Sequence, residues 1–217
     1  MPHHNKELLN AADFQNGLEA LDIEIGKDAF LYAFSPIRII TAGGFLAVSF
    51  LKSRDATGDI DYLLDPEWAQ DNDIKEPLHE AIQKVGRKLQ FNDQWINEDL
   101  ALFITKTSRV ELFEQALEQN IILWEGPNLH VLAAPLEWAL ERKLRRIYSA
   151  DRGRKAEFDL HDAIAILKHL RDKQNGPLDS NYIRRMNANK FDVLPDSATM
   201  DRVATAYQRK YSEKIFS

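Results

Sequence analysis

The segment Thr41-Ala-Gly-Gly-Phe45, followed by Arg54-Asp-Ala-Thr-Gly-Asp59-Ile-Asp61, constrains this chain more than any other. The Gly-Gly pair follows the apolar run Ile37-Arg-Ile-Ile and opens a second apolar run. That is the pattern of a strand turning sharply into a helix. Without a Cβ, Gly43 and Gly44 let the backbone come close to a ligand oxygen, and a helix start behind them offers free N–H groups. The two aspartates lie one residue apart. In an extended strand, alternate side chains share a face, so Asp59 and Asp61 can bind the same cations. The spacing therefore predicts a phosphate-approaching turn beside a carboxylate pair.

Length and charge narrow the class. At 217 residues the chain suits one α/β core with a helical appendage, and it can bury a substantial interior. Hydrophobic residues make up 44% and charged residues 29%, which places it among ordinary globular chains and excludes a disordered one. No apolar run reaches the roughly 18 residues of a membrane-spanning helix, and the polar start Met-Pro-His-His-Asn-Lys-Glu has no signal-like stretch. No membrane partner is expected, and the reading is of a cytoplasmic protein. Having no cysteine, the chain has no disulfide, thiolate metal site or cysteine nucleophile.

The net charge of −6 is unevenly placed. Residues 1–134 carry 11 Lys and Arg against 22 Asp and Glu, whereas residues 135–217 carry 17 against 12. Basic residues concentrate in Glu141-Arg-Lys-Leu-Arg-Arg146 and Asp151-Arg-Gly-Arg-Lys155. They read either as a footprint for phosphates or RNA, or as a solvated helix face.

The pattern suggests one or two helices over Asn5 to Ile25, a strand over Ile37 to Thr41, a helix over Phe45 to Leu51 and a strand over Asp59 to Leu64. A helix over Ile74 to Leu89 follows, then an alternating strand over Ile96 to Ile104 and a helix over Val110 to Gln119. Two short strands flank Gly126-Pro127, and everything beyond Pro135 reads as helical. The fold class expected is α/β (α+β): a mixed sheet flanked by helices over residues 1–134, with a helical subdomain over 135–217.

Gly43-Gly44 and Arg54-x-x-Thr57-x-Asp59-Ile60-Asp61 resemble the hG[GS]…Dh[DE]h signature of the polymerase-beta-like nucleotidyltransferase superfamily. The stretch with Lys143, Arg152, Asp159 and Asp162 resembles the C-terminal helices of its small abortive-infection-toxin-like branch. That resemblance implies a minimal nucleotidyltransferase core. It implies Mg²⁺ or Mn²⁺ on Asp59, Asp61 and a third carboxylate from a later strand, and an NTP over the Gly-Gly turn. Gly43, Gly44, Arg54 and Lys143 are the expected nucleotide-binding residues, and Asp59, Asp61 and Asp99 the expected catalytic and metal-binding ones. The chain departs from the pattern in its long spacing between Gly44 and Asp59, and in a Gly where the family also uses Ser. The acceptor is unspecified: RNA, a protein hydroxyl or a small molecule.

Alternation chooses the third carboxylate. With Ile96, Leu100, Leu102 and Ile104 on the packing face, Asn97 and Asp99 point toward the aspartate pair, while a bulge or a late strand start would substitute Glu98. On the tail, Lys143 shares a helical stripe with Leu136, Leu140 and Ile147 and so needs a partner, either Asp159 on the next helix or the triphosphate. Arg142, Arg145 and Arg146 point away from that stripe. The runner-up reading is a catalytically degenerate relative that binds nucleotide or protein without transfer.

Overall fold

In the computed structural model, the described residues are 5–149, 154–188 and 193–217. They form, in chain order, β1 Leu9–Asn10, α1 Ala11–Ile25, α2 Ala29–Ala33, β2 Ile37–Ala42, α3 Gly44–Ser49, β3 Ala56–Thr57, β4 Ile60–Leu64 and α4 Asn72–Leu89. Then come β5 Ile96–Asn97, a 3₁₀ turn Asp99–Phe103, α5 Lys106–Gln119, β6 Ile122–Glu125 and β7 Leu129–Ala133. The helices α6 Leu136–Tyr148, α7 Arg154–Gln174, α8 Ser180–Arg185 and α9 Ser197–Tyr211 complete the chain. The fold is thus mixed α/β. None of these helices is long and apolar enough to cross a membrane. The chain divides into two units, Met1–Ala134 and Pro135–Ser217.

The first unit is built on a five-stranded sheet of order β5-β4-β2-β7-β6. β2 runs antiparallel to β4 and parallel to β7, β4 runs parallel to β5, and β6 closes the far edge antiparallel to β7. Alternation along the strands sorts the side chains. Ile37, Ile39, Ile60, Tyr62, Leu64, Ile96, Leu129 and Val131 face a core completed by Phe14, Leu18, Leu21 and Ile25 of α1 and by Ile74, Leu78, Ile82 and Val85 of α4. Burying such a set provides most of the unit's stabilisation, at roughly 25 cal/mol per Å² of apolar surface.

Trp95 locks the start of β5 into this core. Its ring lies where side chains on α1 and α4 would otherwise be: a Cβ on Gly17 would come within 2.7 Å of it and one on Gly86 within 3.0 Å. The indole N–H donates to Ile82 O at 3.1 Å, so the burial leaves no orphaned donor. Asp22, buried on α1, accepts from Asn128 N and Leu129 N at 2.8 Å each and fixes where β7 begins.

A second, two-stranded sheet pairs β1 with β3, placing Leu9 opposite Thr57. No periodicity announced it, because two-residue strands are too short to show alternation. The N-terminal stretch, read as helix from Asn5, starts helical structure only at Ala11. Asn10 caps it, accepting from Asp13 N while Asp13 accepts from Asn10 N.

The second unit packs α6, α7, α8 and α9 around Leu140, Leu144, Ile147, Ile166, Val203 and Tyr207, all buried. Its last residues return to pair Leu178 with Phe216.

Candidate functional site

The turn after β2 and the start of β4 are brought together by strand register. Ala42 is the cross-strand partner of Asp61 and Thr41 that of Tyr62, and Thr41 Oγ1 donates to Asp61 O at 2.6 Å. The next residue, Gly43, has φ +88° and ψ −140°, a conformation that a side chain would strain. A Cβ there would lie 3.4 Å from Asp61 Oδ2. The glycine turn and the Asp61 carboxylate are therefore neighbours through the backbone itself. Asp59, two residues upstream and just outside β4, is half-buried like Asp61.

Gly44 has a different reason to be glycine. A Cβ on it would collide with the Thr57 side chain, coming within 2.7 Å of Thr57 Cβ. Thr57 is buried, and its strand β3 is held by β1. The close approach at Gly44 is thus filled by the protein, while the one at Gly43 is lined by a carboxylate. The helix behind the pair, α3, has six residues rather than the longer run expected from Phe45 to Leu51. Six residues sum few peptide dipoles. Arg54 lies half-buried in the loop that leads from α3 to β3.

The structure alters the expectation for the third carboxylate. The strand expected over Ile96 to Ile104 ends at Asn97, and Asp99 sits in the 3₁₀ turn that follows. The cause is local: Asn97 Oδ1 accepts from Asp99 N at 3.0 Å, an Asx turn that takes the chain out of the sheet. Register pairs Asp61 with Asn97, so the side chain beside Asp61 on the neighbouring strand is an amide. Its Nδ2 donates to Gln94 O at 3.2 Å. Glu98 is engaged elsewhere, 3.0 Å from Lys75 Nζ and 3.4 Å from Arg109 Nη1. Among the described residues, no group of three or more His, Asp and Glu side chains is placed to hold a metal ion.

Lys143 is buried in the second unit, with its ammonium 2.6 Å from Asp162 Oδ2 and 3.7 Å from Asp159 Oδ1. Burial pulls the pKa of Lys143 below the usual lysine range, and the Asp162 charge opposes that pull. The expected partner, Asp159, is taken mainly by Arg146, whose Nε and Nη2 reach its two oxygens at 2.9 and 2.8 Å. Arg146 therefore does not point away as its position on the helical wheel suggested; its length lets it fold back onto α7. Arg145 binds Glu141 at 3.3 Å and the backbone at Met186, and Arg142 lies over the Trp138 ring at 5.0 Å. Much of the basic run on α6 is thus used within its own unit. Arg152 lies outside the described residues.

Sequence reasoning passed over a second polar cluster, formed by Tyr62, Lys75, Glu98 and Arg109. The signal was present, since Arg109 precedes Leu112, Phe113 and Ala116 at helical spacing on the buried stripe of α5. A cation in such a stripe requires partners.

Neither the curated proteins nor the solved structures compared with this chain gave a match. Residues 46–214 match the family described as Domain of unknown function (DUF7582). The matched stretch begins just past Gly43 and Gly44 and contains Asp59, Asp61, Asp99 and Lys143. The chain belongs to this DUF7582 family.

Proposed function

We propose that the protein is a cytoplasmic, metal-dependent nucleotidyltransferase that moves a nucleoside monophosphate from an NTP to a hydroxyl acceptor on RNA, a protein or a small molecule. One observation carries this reading: the Asp61 carboxylate lies beside Gly43, whose backbone takes a conformation that glycine alone adopts without strain. A triphosphate lying along that turn would meet backbone on one side and carboxylates on the other.

The donor set suits a hard cation. Magnesium is commonly held by one or two carboxylates together with substrate phosphates, so Asp59 and Asp61 would suffice once a nucleotide brings its own oxygens. Bound there, Mg²⁺ or Mn²⁺ would supply charge neutralisation of the phosphates and a lower pKa for the attacking hydroxyl. The residues of the chain do the rest. Gly43 would admit the phosphates, Arg54 would supply a guanidinium for their charge, and strand pairing holds Asp61 in register, with Asp59 two residues upstream in the loop that leads into β4. A bond forms between the acceptor oxygen and the α-phosphorus as the hydroxyl gives its proton to solvent water, the α-phosphorus–oxygen bond to the β-phosphate breaks, and pyrophosphate leaves with that electron pair.

Asn97 beside Asp61 favours a second reading, in which the site binds nucleotide without transferring it. The test is calorimetry of Mg²⁺-NTP binding to the wild type and to the Asp59→Asn, Asp61→Asn double variant, with pyrophosphate release measured in parallel. Loss of binding in the variant supports the site. Unchanged affinity overturns it, and binding without pyrophosphate release selects the second reading.

A further inference from the structure

A groove of about 890 Å³ opens in the first unit between α4, the end of β5 and the start of α5. Gly43, Asp59 and Asp61 take no part in its lining. Asp61 and Tyr62 are successive residues of β4, so their side chains leave opposite faces of the sheet.

The inner end of the groove carries an unbalanced charge. Glu98 is flanked by Lys75 at 3.0 Å and Arg109 at 3.4 Å, so two cations share one carboxylate. Arg109 is only 8% exposed, and its Nη1 also donates to Leu64 O at 3.3 Å. Among the described residues, its Nε and Nη2 have no protein acceptor. Tyr62, also 8% exposed, lines the same end, and its hydroxyl likewise meets no protein partner among the described residues. These donors open onto the groove beside one positive charge in excess, so an anion entering it can accept from all of them. The charges at the mouth, on Glu76, Glu80, Asp99 and Lys106, stand in solvent and are screened.

We propose that this groove is a binding site for a small organic anion, its carboxylate or phosphate group held by Arg109, Lys75 and the Tyr62 hydroxyl. The apolar part of the ligand lies against Ile82 and Ile96, which line the same groove. The volume is in the range of small-molecule sites and exceeds what an inorganic ion fills. A planar carboxylate suits the guanidinium fork, and a phosphate monoester offers the same acceptors. This site stands or falls independently of the reading at Gly43 and Asp61.

The experiment is a titration of the full chain with acetate, benzoate and inorganic phosphate, followed by amide ¹H–¹⁵N NMR. Saturable shifts are expected at Tyr62, Glu98 and Arg109, with benzoate tighter than acetate because its ring covers Ile82 and Ile96. Phosphate binding tighter than both carboxylates would identify the ligand as a phosphate ester, and the reverse order as a carboxylic acid. Tyr62→Phe and Lys75→Met, each removing one donor and leaving Arg109 in place, should keep the melting temperature near that of the wild type. Each should weaken binding about tenfold, the loss of one hydrogen bond to a charged group. Absence of saturable shifts at these amides with all three anions overturns the proposal, as does wild-type affinity in both variants.

Discussion

Lys143 Nζ lies 2.6 Å from Asp162 Oδ2, and the two side chains are 1% and 0% exposed. A pair this deeply buried is costly to break and cheap to replace. Lys143→Met or Asp162→Leu alone should cost about 3–5 kcal/mol, because each strands a charge, whereas the double variant should recover much of the loss. Denaturant midpoints of the three variants measure this. Additive destabilisation in the double variant would contradict the pairing.

The two glycines of the turn should behave differently. Gly44→Ala drives a methyl group into Thr57 and should cost about 1–3 kcal/mol. Gly43→Ala strains the backbone beside Asp61 and should weaken Mg²⁺-NTP binding more than its loss of stability explains. Gly176, where an added Cβ would meet nothing within 4 Å, is the control and should tolerate alanine. Thermal melts with and without Mg²⁺-NTP separate these outcomes, and equal losses at Gly43 and Gly176 would remove the turn's special status.

Asn97 offers a gain-of-function test. Asn97→Asp places a carboxylate beside Asp61 on the adjacent strand, where like charges should cost up to about 1 kcal/mol in the absence of metal. Mg²⁺ or Mn²⁺ should reverse that cost and bind more tightly than in the wild type. A variant whose melting temperature ignores both ions would show that Asp61 and residue 97 do not converge on a cation.

The acid limb of stability should carry a contribution from Asp196. This residue caps α9, accepting from Thr199 N at 2.7 Å, and the hydrogen bonds from Thr199 hold its carboxyl below the usual carboxylate range. With the folded-state pKa depressed, the stabilisation is fully present above the ordinary aspartate pKa and is lost as pH falls through the folded value. Asp196→Asn keeps the capping acceptor and should flatten this limb. Melting temperatures from neutral to acid pH should show a smaller drop in the variant than in the wild type.

Much of this architecture was legible from local pattern. Ile37 to Thr41, Asp59 to Leu64 and Ile74 to Leu89 each have one period and one dominant face, and each forms the expected element within a residue or two. The stretch from Ile96 to Ile104 misled because alternation in Ile96, Leu100, Leu102 and Ile104 outweighed a local competitor. Asn97 could capture the Asp99 N–H and end the strand at once. Side-chain reach was the other blind spot. A helical wheel fixes where Cβ points, but Arg146 bends back to Asp159 and Arg109 reaches Glu98 from another element. The groove around Tyr62 arises from three segments distant in sequence, and no single window contains it.

The pairing of Leu9 with Thr57 bears on how the chain comes off the ribosome. Thr57 packs against Gly44, and the Asn92 amide donates to Gly58 O at 2.8 Å, so the loop that delivers Asp59 is latched from both sides. One latch, β1, is synthesised well before the loop, and the other soon after it. Every strand of the sheet lies before Pro135, so the aspartate turn can assemble while residues 135–217 are still being made. Nascent chains of increasing length should therefore show protection of the residue 54–61 loop from proteolysis before α6 has emerged.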